Sequence, residues 1–512
     1  MIIDFGQIDT SDLQADVCVI GAGATGLALA HDLADSDRRV AVVESGSGAD
    51  HLNSGESVGT HSLELEASRA RGFGGTTQLW AGQCVPFERD DFGGRDWVPH
   101  ADWPFPRSEL DPHYRRAEAL LGVPATDYGE SAWQPFGLRP APVDPEVLQH
   151  RCTAMPREVH MGRLTGERLE DSGTVTVLLG ATVSEIVLDE SGERVSGVEL
   201  RSLSGRSARL RAPVVVLCAG ALENARLLLL SRLGNEHDQV GRWLQDHPNA
   251  YAATVRTRNP RFLQDRYGLL YSRRARWFPR LALSPSATRR ERTLQAAAVV
   301  SFEYPADSAV SALRAAARTG NWREAARLVS RPGTAARAAR EVAHIGWRRF
   351  ARGRSPALQP SRIALQVFTE QEPDPSRRVT LGERRDALGL PVTKVEWAVG
   401  ERELDATRAL VGAIGKEFER LGIGEVEPEP WLTDGDTSHF RDAYHHIGTT
   451  RISTDPREGV VDPNLQVHGV PGLYCAGASS FPSSSWANPV LTAVALTLRL
   501  GEHLRRNGSS PA

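Results

Sequence analysis

The tightest constraint on this fold lies near the N-terminus, where a short apolar run, ADVCVI (Ala15–Ile20), meets Gly21, Gly23 and Gly26 and then LALAHDLAD. The run reads as a buried parallel strand and the following residues as a helix. Gly21 permits the tight turn, Gly23 lets backbone approach a pyrophosphate, and Gly26 lets helix pack on strand. Ala24 and Thr25 open the helix, whose N-terminal N–H groups and dipole favour an anion. Arg39–Val43 supplies a second strand, and Glu44 stands at its end, 18 residues after Gly26. A carboxylate there accepts hydrogen bonds from ribose hydroxyls and disfavours a 2′-phosphate. Strand, glycine turn, helix, strand and acid in this order imply a dinucleotide site in a doubly wound α/β unit, whether for NAD or FAD.

Composition narrows the class. At 512 residues the chain is long enough for two domains with a sizeable core. A net charge of −4 argues against nucleic acid as a partner. No apolar run approaches 18 residues, so no membrane span is expected. The N-terminus lacks the pattern of a secretory signal, and the expectation is a cytoplasmic location. The five cysteines, Cys18, Cys84, Cys152, Cys218 and Cys475, are scattered without a CxxC, which reads as buried free thiols and no metal site.

Further along, Thr174–Leu188 and Arg194–Leu200 read as strands, and Arg209–Arg232 as strand, turn and helix. The candidate strands Tyr251–Arg256, Thr293–Phe302, Arg362–Gln371 and Thr393–Trp397 lack intervening crossover helices, which implies an antiparallel sheet. Ala306–Ala357 holds eleven arginines against Asp307, Glu324 and Glu341 and reads as a solvated helical pair over that sheet. A basic face docking on a membrane or redox partner is its alternative reading. Near the C-terminus, YHHIGTTR and ANPVLT place His445 and Asn488 43 residues apart around a glycine-rich turn. An imidazole titrates near neutral pH and can accept a hydroxyl proton. An amide donates to the same oxygen without titrating, and Pro489 suits the first turn of a helix over Val490–Leu500. Asn488 could equally serve as a helix cap. With the dinucleotide turn, this pair describes a flavin enzyme that removes hydride from an alcohol.

These segments, with GFGGTTQLWAGQ, VVLCAGALENARLLL, VGRWLQDHP and EQEPDPSRRVTLGERRDALGLP, resemble the glucose–methanol–choline (GMC) oxidoreductases along most of the chain. Short length, GGTTQLWAG and ANPVLT are most similar to the sugar-oxidising branch. The resemblance implies His445 as the base, with His446 diverging from it, and Asn488 as its partner. It implies FAD held by the N-terminal glycines and Glu44, by Gly75, Thr76, Trp80 and Ala81 beside the isoalloxazine, and by Val183 near the adenine. Ala219, Gly477, Ala478, Asn488, Pro489 and Val490 complete the implied set. The loop Gly75–Trp80 lacks the histidine to which some sugar oxidases bond their flavin, so non-covalent FAD is expected.

The resemblance further implies an FAD-binding domain of 1–110, 171–250 and 440–512, and a mainly antiparallel substrate domain of 111–170 and 251–439 with a helical insertion at about 306–357. The expected substrate is a small sugar-like alcohol, with oxygen or another electron acceptor; the oligomeric state stays open. Gln366, Glu370 and Tyr444 are candidate substrate contacts. Acids at Glu303, Glu370, Glu372, Asp434 and Asp436 suggest a cationic aminosugar, whose primary 6′-type alcohol would be oxidised. A pyranose or C-glycoside ring oxidase is the alternative.

Overall fold

The computed structural model describes all residues except 10, 47–51, 125, 321, 324–325, 327–334 and 508–512. Six parallel strands run in the order Ile2–Asp4, Val175–Leu179, Val40–Glu44, Val17–Ile20, Val215–Leu217 and Leu473–Cys475. The three central runs VCVI, VAVVE and VVL are wholly buried, as a sheet covered on both faces requires. The helices Ala24–Leu33 and Val490–Asn507 pack against one another. The cysteines follow the expectation: all five are free and buried. Burial pushes the Cys218 thiol up to about 12, so it stays protonated.

The run read as one strand over Thr174–Leu188 is two. Gly180, at φ 72°, turns the chain after Val175–Leu179, and Thr182–Leu188 joins a separate sheet, antiparallel to Val195–Arg201, which is antiparallel to Ser207–Arg211, with Asp12–Gln14 added in parallel at the edge. Only glycine adopts that conformation at little cost, and the unbroken apolar pattern on either side hid it. The last helix also outruns its expected end and reaches Asn507.

The second large sheet is antiparallel throughout, ordered Leu270–Tyr271, Ala275–Leu283, Ala296–Glu303, Arg362–Thr369, Asn249–Arg256 and Glu425–Pro428, with Leu148–Pro156 also paired to Ala275–Leu283. Pro391–Glu396, assigned to this sheet from sequence, pairs instead with Arg378–Arg385 and, in parallel, with Gly55–Val58. Strand propensity was legible there; the parallel partner Gly55–Val58, more than 300 residues away, was not. The helix Glu401–Arg420 covers the large sheet. Helices Asp111–Leu121 and Met161–Asp171 pack on Val490–Asn507 and Ala24–Leu33, which favours assigning both to the dinucleotide unit rather than to the substrate domain.

In the arginine-rich insertion, helices Ala309–Thr319 and Ala335–Ala351 pack on each other. Glu341 accepts the Ala309 N–H at 2.8 Å and Arg348 is buried against Asp265 at 2.5 Å. Glu324 and most of the link between these helices lie outside the described residues.

Candidate active site

A cleft with a cavity volume of about 300 Å³, partly open to solvent, runs from the strand ends of the parallel sheet to His445. Its floor is the glycine turn. A Cβ on Gly26 would fall 1.9 Å from the Gly21 oxygen, and one on Gly21, at φ 102°, 2.8 Å from the Cys218 oxygen. A Cβ on Gly23 would meet nothing within 4 Å, since that backbone faces the cleft. The turn is therefore closed where strand meets helix and open where a pyrophosphate would lie. Gly75, at φ 53°, closes over it, because its Cβ would sit 2.7 Å from the Gly23 Cα.

Ala24, Thr25, Thr76, Trp80, Val183, Ala219, Gly477, Ala478, Pro489 and Val490 line the cleft with Gly21, Gly23, Glu44 and Gly75. Gly26 serves packing beneath it. Ala81 is solvent-exposed and absent from the lining, a correction to the expected flavin contact. The turn after Thr76 directs Trp80 inward, where its indole N–H donates to the Val159 carbonyl at 2.8 Å. Glu44 is buried and accepts backbone N–H bonds from Ala22 (2.9 Å), Gly46 (2.8 Å) and Gly72 (2.9 Å), so it ties the three loops around the cleft together. Sequence reasoning missed an ionic cluster on the same wall. Glu223 meets Arg69 at 2.5 Å and Arg71 and Arg226 at 3.2 Å. Although burial opposes it, these guanidiniums hold the Glu223 carboxyl down to about 2.

At the far end the expected pair comes together: Asn488 Nδ2 lies 3.4 Å from His445 Nε2. The other ring nitrogen, Nδ1, lies 2.8 Å from Nδ1 of His247, whose Nε2 lies 3.0 Å from the Ser484 carbonyl. These contacts fix the tautomers. A carbonyl only accepts, so His247 Nε2 carries the proton. Burial lowers His247 to about 4, so its ring is neutral and Nδ1 is bare. His445 Nδ1–H therefore donates to it, which leaves the His445 lone pair on Nε2 beside the Asn488 amide. Burial, then His247, Arg280 and His446, keep His445 well below the ordinary histidine value, so that lone pair is free at neutral pH.

Arg280 sets the other half. Its side chain donates to Gln83 Oε1 at 2.8 Å and to Asn488 Oδ1 at 3.2 Å. A guanidinium only donates, so the amide oxygen must face it and the amide N–H groups must face His445. The Asn488 side chain is thus engaged across the site at both its oxygen and its nitrogen.

Two left-handed residues aim the pair. Tyr444 has φ 62° and precedes His445; Ser485 has φ 57° and lies three residues before Asn488. Each costs about 1–3 kcal/mol and persists only where surroundings impose it. Asp246 brackets Tyr444 by accepting from Ala443 N at 2.8 Å and His445 N at 2.9 Å. The serine run is stapled too: Ser483 donates to the Asp91 carbonyl, Ser484 accepts from Gln371 N at 2.9 Å, and Ser485 donates to Gln295 Oε1 at 3.2 Å. His446 diverges from His445 as expected, towards Asp246, yet it also lines the cleft. Among the described residues Asp246, Asp442 and His446 bring ligand-type atoms within 4.8 Å of one another. Both Asp246 oxygens, however, already accept backbone N–H bonds.

The substrate candidates fare differently. Tyr444 stands exposed at the cleft. Gln366 donates to Asn249 Oδ1 at 2.9 Å from within its strand and is absent from the cleft lining. Glu370 cannot take a substrate: it is fully buried in a two-pronged ion pair with Arg95, at 2.6 and 2.8 Å. Glu372 is held by Arg402 at 2.6 Å and Glu303 by Arg362 at 3.3 Å. Three of the five acids counted for an aminosugar, Glu303, Glu370 and Glu372, are therefore committed to arginines of the chain.

Residues 166–249 and 373–497 match the two family models described as GMC oxidoreductase, and residues 19–80 match an NAD(P)-binding Rossmann-like domain. The chain belongs to the GMC oxidoreductase family. It is accordingly an FAD-dependent alcohol oxidoreductase. This GMC oxidoreductase is 24% identical to 6′′′-hydroxyparomomycin C oxidase of Streptomyces lividus over 96% of its length and 91% of the relative's. It is 31% identical to C-glycoside 3-oxidase of Arthrobacter globiformis over 28% of its own chain and 27% of that one. A solved formate oxidase shares the fold at a TM-score of 0.59 and 17% identity, covering 97% of this chain and 99% of that one. Among the described residues no helix is long and apolar enough to cross a membrane.

Proposed function

We propose that this GMC oxidoreductase oxidises a carbinol of a sugar-like polyol, with His445 as the base. The observation carrying the reading is the bare His445 Nε2, held 3.4 Å from the Asn488 amide in a tautomer dictated by His247. FAD, when bound, supplies the two-electron acceptor for the carbinol hydride. Gly21, Gly23, Thr25, Glu44, Gly75 and Gly477 would hold it non-covalently along the cleft. His445 takes the hydroxyl proton at Nε2, while Nδ1–H stays on His247 Nδ1. Asn488 Nδ2–H donates to the same oxygen and stabilises the developing alkoxide. The stapled serine run keeps Asn488 in place. Tyr444 stands where the substrate enters.

Two finer readings divide the substrate class. Oxidation of a primary alcohol on an aminosugar is favoured by the name of the full-length Streptomyces lividus relative. Oxidation of a glycoside ring carbinol is favoured by the Arthrobacter globiformis relative, and by the commitment of the nearby acids to arginines. The test is anaerobic bleaching of the bound flavin by glucose, a methyl glycoside, a C-glycoside and paromamine. At least one should bleach it, and His445→Ala should slow that step about 10²–10⁴-fold. Bleaching by simple aliphatic alcohols but no sugar, or an unimpaired His445→Ala, would overturn the reading.

A further inference from the structure

The guanidinium of Arg280 lies behind Asn488, on the far side of that amide from His445, and among the described residues no carboxylate pairs with it. Arg280 is 1% exposed, on the strand Ala275–Leu283, and its head lies 5.0 Å from the ring centre of Phe368 and 5.6 Å from that of Trp486. Its oxygen partners are the amides of Gln83 and Asn488, and among the described residues its buried Nε has none. Elsewhere the chain pairs such groups: Arg95 with Glu370, Arg226 with Asp386, Arg348 with Asp265 and Arg377 with Glu403. Arg451 is also buried with no carboxylate partner among the described residues, but it lies over Trp243 and bonds the His100 carbonyl. Arg280 instead touches the amide that faces the base. Burial holds it down to about 10, so it stays charged at neutral pH.

A buried charge without a partner is unfavourable unless a negative group arrives to face it. Amide oxygens and aromatic faces offset only part of that penalty. Arg280 therefore puts a fixed positive charge behind the Asn488 amide, where Glu370 is already neutralised by Arg95, whereas Asp246 and Asp442 lie on the Tyr444 and His446 side of the pair. We propose that Arg280 is the specificity-determining charge of this enzyme, selecting sugar-like alcohols that carry a carboxylate over those that carry ammonium groups, with neutral sugars between. This rests on the sugar-alcohol reading above and decides between its two branches, against the polycationic aminosugar. A unit charge placed roughly 8 Å from the guanidinium, at an effective dielectric of about 20, changes binding about 30-fold. Attraction of a carboxylate and repulsion of an ammonium together separate the two by about 10²–10³-fold.

The experiment compares kcat/KM of the FAD-loaded enzyme on methyl glucoside, methyl glucuronide and methyl glucosaminide, which share the C3 and C4 ring carbinols and differ in charge, with product analysis confirming oxidation at one of those two carbons. Wild type should rank carboxylate over neutral over ammonium. Arg280→Gln should collapse the carboxylate-to-ammonium ratio at least tenfold, and Arg280→Lys should retain most of it. A second readout needs no turnover: acetate and ethylammonium are titrated into the oxidised holoenzyme and the flavin spectrum is followed. Acetate should bind, and at least tenfold more weakly in Arg280→Gln; ethylammonium should not bind. Preference for the ammonium glycoside, or a ratio and an acetate affinity both unmoved by Arg280→Gln, overturns the proposal. If none of the three glycosides reduces the flavin, the sugar reading fails while the acetate titration still judges Arg280. If Arg280→Gln loses flavin, the wild-type ranking and Arg280→Lys decide.

Discussion

His247→Leu tests the tautomer argument directly. In the folded enzyme His247 accepts one proton, from His445 Nδ1 at 2.8 Å, and donates one, to the Ser484 carbonyl at 3.0 Å. Leucine fills similar space but accepts nothing, so the Nδ1–H of His445 faces an apolar side chain. A buried donor without its partner is worse by about 1–3 kcal/mol. The ring relieves this by rotating or by moving the proton to Nε2, and either change removes the lone pair from the substrate. At about 1.4 kcal/mol per decade of rate, hydride transfer should slow about 5–150-fold. Substrate affinity should change less than about threefold, because Asn488 and the cleft walls are untouched. Anaerobic stopped-flow bleaching over a range of alcohol concentration separates the limiting rate from the dissociation constant. His247→Gln, whose side-chain oxygen can accept the same proton, should recover part of the rate. A flavin-loaded His247→Leu enzyme that reduces within twofold of wild type would refute the argument. So would a defect confined to the dissociation constant.

Three other outcomes are expected. Since burial, His247 and Arg280 depress His445, the base is deprotonated throughout neutral pH. The kcat/KM profile should stay flat from about pH 8 down to about 6.5 and fall only below the ordinary histidine value. A limb centred near pH 7 would instead assign control to Asp246, which burial and the neighbouring Asp442 raise to about 7. Glu370→Gln leaves the buried Arg95 without its carboxylate and should destabilise the enzyme by about 3–5 kcal/mol in chemical denaturation. If stability holds and only KM for the sugar rises, Glu370 is a substrate contact after all. Acid precipitation should release the flavin into a yellow supernatant above a colourless pellet, and a yellow pellet would show a covalent bond.

The sequence carried the fold at the level of its units because the informative residues are local. Gly21, Gly23, Gly26 and Glu44 state their geometry within one βαβ segment, and His445 and Asn488 stand in short, recognisable stretches. Pairings that close over long distances were hidden. Pro391–Glu396 reads as a strand whatever its partner, and the isolated Gly180 gave little sign of a break. The site was half legible for the same reason. His247 was in view within LQDHP, but its contact with His445 spans 198 residues. An acid's sequence position does not reveal its counter-ion, so Glu370 read as a substrate contact until Arg95 was seen against it. Arg280, in the wholly buried half of its strand, looked in the sequence like one arginine among many. Its missing carboxylate is visible only in three dimensions.

The stapled serine run has a consequence for how the enzyme comes into being. Ser483, Ser484 and Ser485 are anchored to Asp91, Gln371 and Gln295, which belong to three distant stretches of chain. The rail that carries Asn488 and receives His247 therefore cannot form until those stretches have met. Closing such remote contacts comes at the slow end of folding, after local helices and hairpins. During refolding from denaturant in the presence of FAD, far-ultraviolet circular dichroism should recover first and alcohol-dependent bleaching last. Activity in this chain is thus a clock for the final docking of its two large sheets.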